Sequence, residues 1–285
     1  MDTLNNPVQE RDDDFCLGIV IPLKSEQVSK SWKLVYESLE KTLVSIGNQG
    51  SSKFRVCVVC HEVPPLSIFD SPWCDAVTID VPAPDIAGKK PSEKQVLFEK
   101  DRTAKLEFGS NRLVEGGCTH IFALDADDLI HRDFVSTVEQ YQHYQSLVFK
   151  YGYLNFQRYK LINKTSSFDL YCGSCCVVQA SLLYMRLSDS TVKDFVFRLI
   201  SHSSYAPTFK KLDISCFVPQ SYLVMYMREH GENISAQRAD LYQGNSWLKS
   251  FSEWLRRRLK RSKRFTTALV RSFAVSRDVK SQFGL

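Results

Sequence analysis

Thr119-His120-Ile121-Phe122-Ala123-Leu124 runs without interruption into Asp125-Ala126-Asp127-Asp128. An apolar run that is continuous rather than alternating marks a strand buried on both faces, as in a parallel sheet. Three carboxylates within four residues repel one another unless a cation or a hydrogen-bond network holds them. Asp125 and Asp127 have the same parity, so in an extended segment both project from one side and can reach one ion. Hard ions such as Mg²⁺ and Mn²⁺ take carboxylates together with substrate phosphates. A plainer reading is a solvated turn in which Asp127 or Asp128 caps the next helix. The apolar strand before the triplet places it at a sheet edge and favours the ion.

The same pattern extends outward. Phe15 to Leu23 is a second continuous apolar run, stopped by Pro22; Phe54 to Cys60 is another buried run, and Asp75 to Val81 reads as a further strand. Between the first two, Trp32, Val35, Leu39, Leu43 and Ile46 recur at helical spacing. Residues 82–100 lack a period and read as a loop, and a helix is expected from Asp101 to Glu115, ended by Gly116-Gly117. Strands and helices in this order predict an α/β fold with a mainly parallel sheet. Such sheets bind ligands at the carboxyl ends of their strands, which is where the acidic triplet falls. Farther on, Asp133–Phe149 and Ser190–Ser201 read as helices. Tyr151–Leu161, Tyr171–Gln179 and Phe217–Tyr226 read as strands.

The 285 residues include 12 Gly and 10 Pro, too few for a collagen-like or low-complexity chain. No run approaches the roughly 18 apolar residues of a membrane-spanning helix. Residues 1–14 are polar and acidic, unlike a signal peptide, and read as a disordered lead-in. The expected location is therefore the cytoplasm. Nine cysteines are then expected as free thiols. Cys57/Cys60 and Cys172/Cys175 have a zinc-like spacing, but Cys57 and Cys60 lie in a strand where positions three apart face opposite sides. They are better read as core residues.

Charge divides the chain. Residues 245–285 carry eleven Lys/Arg against Glu253 and Asp278, a charge of +9 that leaves −4 on residues 1–244 out of a total of +5. Trp247, Leu248, Phe251, Trp254, Leu255 and Leu259 recur at helical spacing among Arg256, Arg257, Arg258, Lys260 and Arg261. A basic amphipathic helix with Trp at its apolar edge suits an anionic membrane surface. Packing against the body is the other use of such a helix. The aromatics do not form the exposed sheet platform of a nucleic-acid binder. The expected organisation is a lead-in over 1–14, an α/β domain over 15–240 and a basic tail over 241–285.

Taken together, the strand ending in Ile21-Pro22-Leu23, the strand ending in His61-Glu62, the stretch Asp101 to Gly109 and the Leu-Asp-Ala-Asp-Asp motif resemble GT-A glycosyltransferases of family 2 type. Tyr226 to Ser235 resembles a late segment of some members. The resemblance covers residues 15–235. It implies that Asp125 and Asp127 form a DxD motif holding Mn²⁺ or Mg²⁺ on a donor diphosphate, with Asp128 behind them and His230 as a third ligand. It also implies that Pro22, Leu23 and Lys24 line the nucleotide pocket beside Glu62, and that Arg102 and Lys105 neutralise the diphosphate. The implied activity is transfer of a sugar from a UDP- or GDP-sugar to a hydroxyl of a glycan or lipid-linked acceptor, with inversion. The basic tail would then sit peripherally on the inner membrane face.

One part of the pattern is missing. Relatives carry a Glu-Asp pair before a D-L-x-x-R-L stretch; here Asp194 and Arg198 match that stretch, but Thr191-Val192 replaces the acidic pair. Asp194, His202 and Asp213 are the remaining candidate bases. That leaves a retaining enzyme open; the other rivals are a catalytically idle nucleotide-sugar-binding relative and a nucleotidyltransferase. The latter needs a glycine-rich phosphate loop after the first strand, and Pro22 to Gln27 has no glycine.

Overall fold

The first strand, β1 (Leu17–Pro22), is buried along almost its whole length and ends at the proline. It pairs in parallel with β2 (Phe54–Cys60) on one side and β4 (His120–Ala123) on the other. The computed structural model describes residues 15–157, 161–187, 190–228 and 277–285. Beyond β2 lies β3 (Cys74–Thr78), also parallel. Beyond β4 come β9 (Cys176–Gln179), β6 (Ser146–Val148) and β12 (Cys216–Phe217). The seven-stranded sheet has the order β12-β6-β9-β4-β1-β2-β3, and β9 is antiparallel to both of its neighbours. The expected α/β fold with a mainly parallel sheet is present.

Helix α1 (Trp32–Gly47) follows the predicted stripe, burying Val35, Leu39, Leu43 and Ile46, with the Ser31 hydroxyl accepting from Leu34 N at its start. Helix α2 (Pro91–Glu115) begins ten residues before its expected start. Pro91 opens it, the Glu93 carboxylate accepts from Lys90 N at 2.7 Å, and Val96 on its first turns is 67% exposed. No apolar stripe marks that end. Against β1 and β2 the helix comes very close: a Cβ at Gly109 would sit 2.6 Å from Val20 Cγ2 and 2.7 Å from Val59 Cγ2. Only glycine permits that approach.

The expected helix over 133–149 is two elements, α3 (Phe134–Gln140) and β6. Leu147, Val148 and Phe149 are fully buried, and the preceding turn carries neither Gly nor Pro to mark the break. The expected helix over 190–201 is strand β11 (Asp194–Phe195), paired with β10 (Tyr184–Met185), followed by the single turn α4 (Val196–Leu199). Helix α5 (Tyr205–Lys211) precedes β12. A second sheet of order β5-β13-β7-β8 contains β5 (Leu129–Ile130), β7 (Gly152–Phe156), β8 (Leu161–Thr165) and β13 (Val224–Arg228).

The last residues belong to this second sheet. Helix α6 (Arg277–Gln282) delivers Phe283, 1% exposed, into a cluster with Leu129, Tyr153, Met225 and Met227. Arg132 N donates to Gln282 O at 3.0 Å, and His131 packs edge-on against Phe283. The end of the predicted basic tail is thus part of the body. Its Trp- and Arg-rich stretch lies outside the described residues. Among the described residues, no helix is long and apolar enough to cross a membrane.

Candidate active site

A cavity of about 630 Å³ opens at the carboxyl ends of β1 and β4. The chain lays β2 and β3 on one side of β1 and β4 on the other, so this is the switch point where α/β sheets place their ligands. The cavity wall includes Pro22, Leu23 and Lys24 after β1, Arg102 and Lys105 from α2, and Asp125 and Asp127 after β4. Tyr171 and Gly173, the segment from Phe197 to Tyr205, and Tyr226 of β13 complete it.

The acidic triplet is not extended. Asp128 N donates to Asp125 O at 3.1 Å, closing a turn that sets Asp125 and Asp127 on the cavity wall and Asp128 fully inside. Arg102 donates to Asp125 Oδ1 from both Nε (3.0 Å) and Nη2 (2.8 Å). Burial opposes the guanidinium charge, but Asp125 and Glu99 outweigh it and hold Arg102 more firmly protonated than usual. Gly173 lies against this pair, where a Cβ would meet Arg102 Nη2 at 3.0 Å.

Asp128 works inward. Its Oδ2 accepts from Ser174 Oγ (2.6 Å) and Cys172 Sγ (3.0 Å), and its Oδ1 accepts from Met227 N (3.2 Å). Ser174 Oγ in turn accepts from Asp125 N at 2.9 Å. Burial pushes the Asp128 carboxyl well above the usual range, helped by the charges of Asp127 and Asp125, while its hydrogen bonds pull the other way. The sequence marked Cys172 only for its spacing from Cys175, and nothing in it marked Ser174.

Among the described residues, no group of three His, Cys, Asp or Glu side chains forms a metal cage. Two carboxylates suffice for an ion that takes phosphate and water for its other ligands. Asp125 offers Oδ2 beside its Arg-bound Oδ1, and with Asp127 this hard-oxygen set fits Mg²⁺ or Mn²⁺. His230 lies outside the described residues.

No family model matches the sequence, and no curated protein matches it. Among solved structures, the chain is similar to residues 1–349 of S. aureus TarS in complex with UDP-GlcNAc. The identity there is 12% and the TM-score 0.45, covering 78% of this chain and 61% of that one. A second crystal structure of TarS 1–349 gives 11% identity, coverage of 75% and 60%, and a TM-score of 0.41. A longer TarS structure gives 14%, 75% and 37%, and 0.42. The chain therefore spans less than two thirds of the length of these structures.

Two residues expected to face the donor also make scaffold contacts. Lys105 is fully buried; its Nζ donates to Leu23 O at 2.7 Å and to Asp101 Oδ2 at 2.8 Å, tying α2 to the end of β1. Burial lowers its pKa against the pull of Asp101. Asp101 Oδ1 also meets His61 Nε2 at 2.7 Å. Glu62 accepts from Ser25 Oγ and Glu26 N, each at 3.0 Å, and so shapes the turn after Lys24 without lining the cavity. The resemblance pointed to these positions, but not to Asp101 as the partner of Lys105 or to Ser25 as that of Glu62.

The three candidate bases fall in different places. Asp194 accepts from its neighbour Phe195 N (2.7 Å) and from Arg198 Nη1 (2.6 Å), and Arg198 also binds Glu107. It does not line the cavity. Asp213 is exposed after α5, in a left-handed turn with φ 54°. His202 does line the cavity. Its Nδ1 contacts the Asp169 carbonyl, which can only accept, so in the neutral ring the proton sits on Nδ1 and the lone pair on Nε2.

Proposed function

We propose that the cavity binds a nucleotide-diphosphate sugar, UDP- or GDP-linked, and transfers the sugar to a hydroxyl of a glycan or lipid-linked acceptor as a GT-A-type glycosyltransferase. The observation that carries this reading is the Asp125–Asp127 turn, braced by Arg102, at the switch point between β1 and β4. Asp125 and Asp127 would hold Mn²⁺ or Mg²⁺, which when bound supplies positive charge toward the departing diphosphate. Arg102 adds a second cation and keeps the Asp125 carboxylate oriented. Pro22, Leu23 and Lys24 wall the nucleoside side.

His202 is the base we assign. Its Nε2 accepts the proton of the attacking hydroxyl, and the Asp169 carbonyl holds the ring in that tautomer. Attack from the face opposite the diphosphate inverts the anomeric carbon. The basic stretch around Trp254 and Arg258 would bring the enzyme to an anionic membrane surface on the cytoplasmic side, where a lipid-linked acceptor resides.

A thermal-shift screen of UDP-, GDP- and other nucleotide sugars with and without Mn²⁺ tests binding, since a ligand of the folded state alone raises Tm. Release of UDP or GDP from the stabilising donor tests turnover. A Mn²⁺-dependent shift with release supports the proposal. A shift without release under any acceptor condition points to the idle relative, and no shift with any donor ends the reading.

A further inference from the structure

At the opposite end of the sheet, Cys16 leads into β1 and Cys118 precedes the adjacent β4, and their sulfurs lie 3.4 Å apart. The chain separates them by 102 positions, so the fold alone brings them together. The backbone around them is fixed on both sides: Cys16 N donates to Thr119 Oγ1 at 3.2 Å, and Thr119 N donates to Cys16 O at 2.9 Å. Gly18 makes room for the second thiol, since a Cβ there would lie 3.2 Å from Cys118 Cβ. Cys16 is half-buried, whereas Cys118 is 3% exposed. An oxidant therefore meets Cys16 first.

We propose that Cys16 and Cys118 form an oxidation site, in which hydrogen peroxide converts the two thiols into a disulfide joining β1 to β4. The Cys16 thiolate attacks the peroxide, forming an S–O bond as the O–O bond breaks, and the departing hydroxide takes a proton to become water. Cys118 then gives up its proton and attacks the Cys16 sulfenic acid; the S–S bond forms, the S–O bond breaks and a second water leaves. Two thiols lose two electrons and one peroxide gains them.

The environment favours the first step. The contact with Cys118 lowers the Cys16 pKa to about 7, burial opposing and Arg55 of β2 assisting. The same contact, with burial, raises Cys118. Cys216, the other half-buried cysteine among the described residues, provides an internal control, because burial raises its pKa. Neither Cys16 nor Cys118 borders the cavity, so the site is independent of the proposed transferase chemistry.

The test uses the full chain and hydrogen peroxide at pH 7. Trypsin digestion after alkylation of the remaining thiols should yield one cross-linked peptide pair carrying Cys16 and Cys118. Without peroxide, Cys16 should react with iodoacetamide at least about tenfold faster than Cys216, because the thiolate is the nucleophile. Cys118→Ser should leave a Cys16 sulfenic acid trapped by dimedone. The proposal is overturned if peroxide leaves both thiols alkylatable while Cys216 is consumed. Oxidation of Cys16 straight to the sulfinate in the wild-type chain would overturn it as well.

Discussion

Arg102 places both Nε and Nη2 on one oxygen of Asp125, at 3.0 and 2.8 Å, rather than spreading its fork over the two. The pair leaves Asp125 Oδ2 without a contact to Arg102 while the carboxylate is held in orientation. Arg102→Gln should weaken UDP or GDP binding at least about tenfold, in line with the loss of a charge-assisted contact. Arg102→Lys should fall between, since it keeps the charge and loses the fork. Calorimetric titration with Mn²⁺ present measures both; wild-type affinity in Arg102→Gln would remove this arginine from the site.

Asp127 and Asp128 should behave as opposites despite being neighbours. Asp127→Asn should cut nucleotide release roughly 100-fold or more with Tm preserved, the scale on which electrostatic groups at a reacting centre act. Asp128→Ala strands the Ser174, Cys172 and Met227 donors and should cost roughly 1–3 kcal/mol of stability. Denaturant melts alongside turnover assays separate the two effects. A normal rate in Asp127→Asn would discard the metal assignment.

The base can be identified by elimination. His202→Gln should lower kcat by about 10²–10⁴ with donor KM little changed. Asp194→Asn and Asp213→Asn should keep rates within a few-fold, because neither lines the cavity. Steady-state kinetics with saturating donor decide it. Loss of activity in Asp194→Asn alone would move the assignment to that residue.

Burial lowers the pKa of His120 below its ordinary 6.5, against the pull of the Gln142 carbonyl. The unfolded chain therefore binds a proton in a pH range where the native chain does not. Stability is complete above about pH 6.5 and declines as the medium is acidified toward the folded pKa, at no more than about 1.4 kcal/mol per pH unit. Urea melts between pH 5 and pH 7.5 should show a shallower decline in His120→Asn than in wild type.

Phe283 makes the carboxyl terminus part of the fold. Phe283→Ala should destabilise by about 3–5 kcal/mol, as for other large buried aromatics. Removing residues 245–285 should do at least as much damage, because it takes Phe283 with it, whereas removing 245–276 keeps α6 and Phe283. That shorter deletion is the fair test of the membrane proposal, read as lost sedimentation with anionic vesicles. Unchanged vesicle binding would refute a role for the basic stretch.

β1, β2, β4 and α1 were legible because their signals are local: largely apolar runs ending at Pro22, Cys60 and Leu124, and a stripe from Val35 to Ile46. The start of α2 was not, since between Pro91 and Lys100 it buries only Phe98 and exposes Val96. The α3–β6 boundary was hidden for want of a breaking residue. In the site, the acidic cluster was visible and the resemblance set Asp128 behind Asp125 and Asp127, but the groups that hold it there were not. Whether Asp128 faces ligand or core depends on Cys172 and Met227, 44 and 99 positions away.

That dependence has a bearing on biogenesis. One inward carboxyl fastens the loop after β4, the 172–174 segment and the backbone of β13. A nascent polypeptide emerging from the ribosome can lay down β1 to β4 early, yet the pocket cannot close until residue 227 has been synthesised and docked. Contacts so distant along the chain slow folding. Ligand-binding competence should therefore arrive late and all at once, and fragments ending before β13 should be inert toward nucleotides however well their first strands are formed.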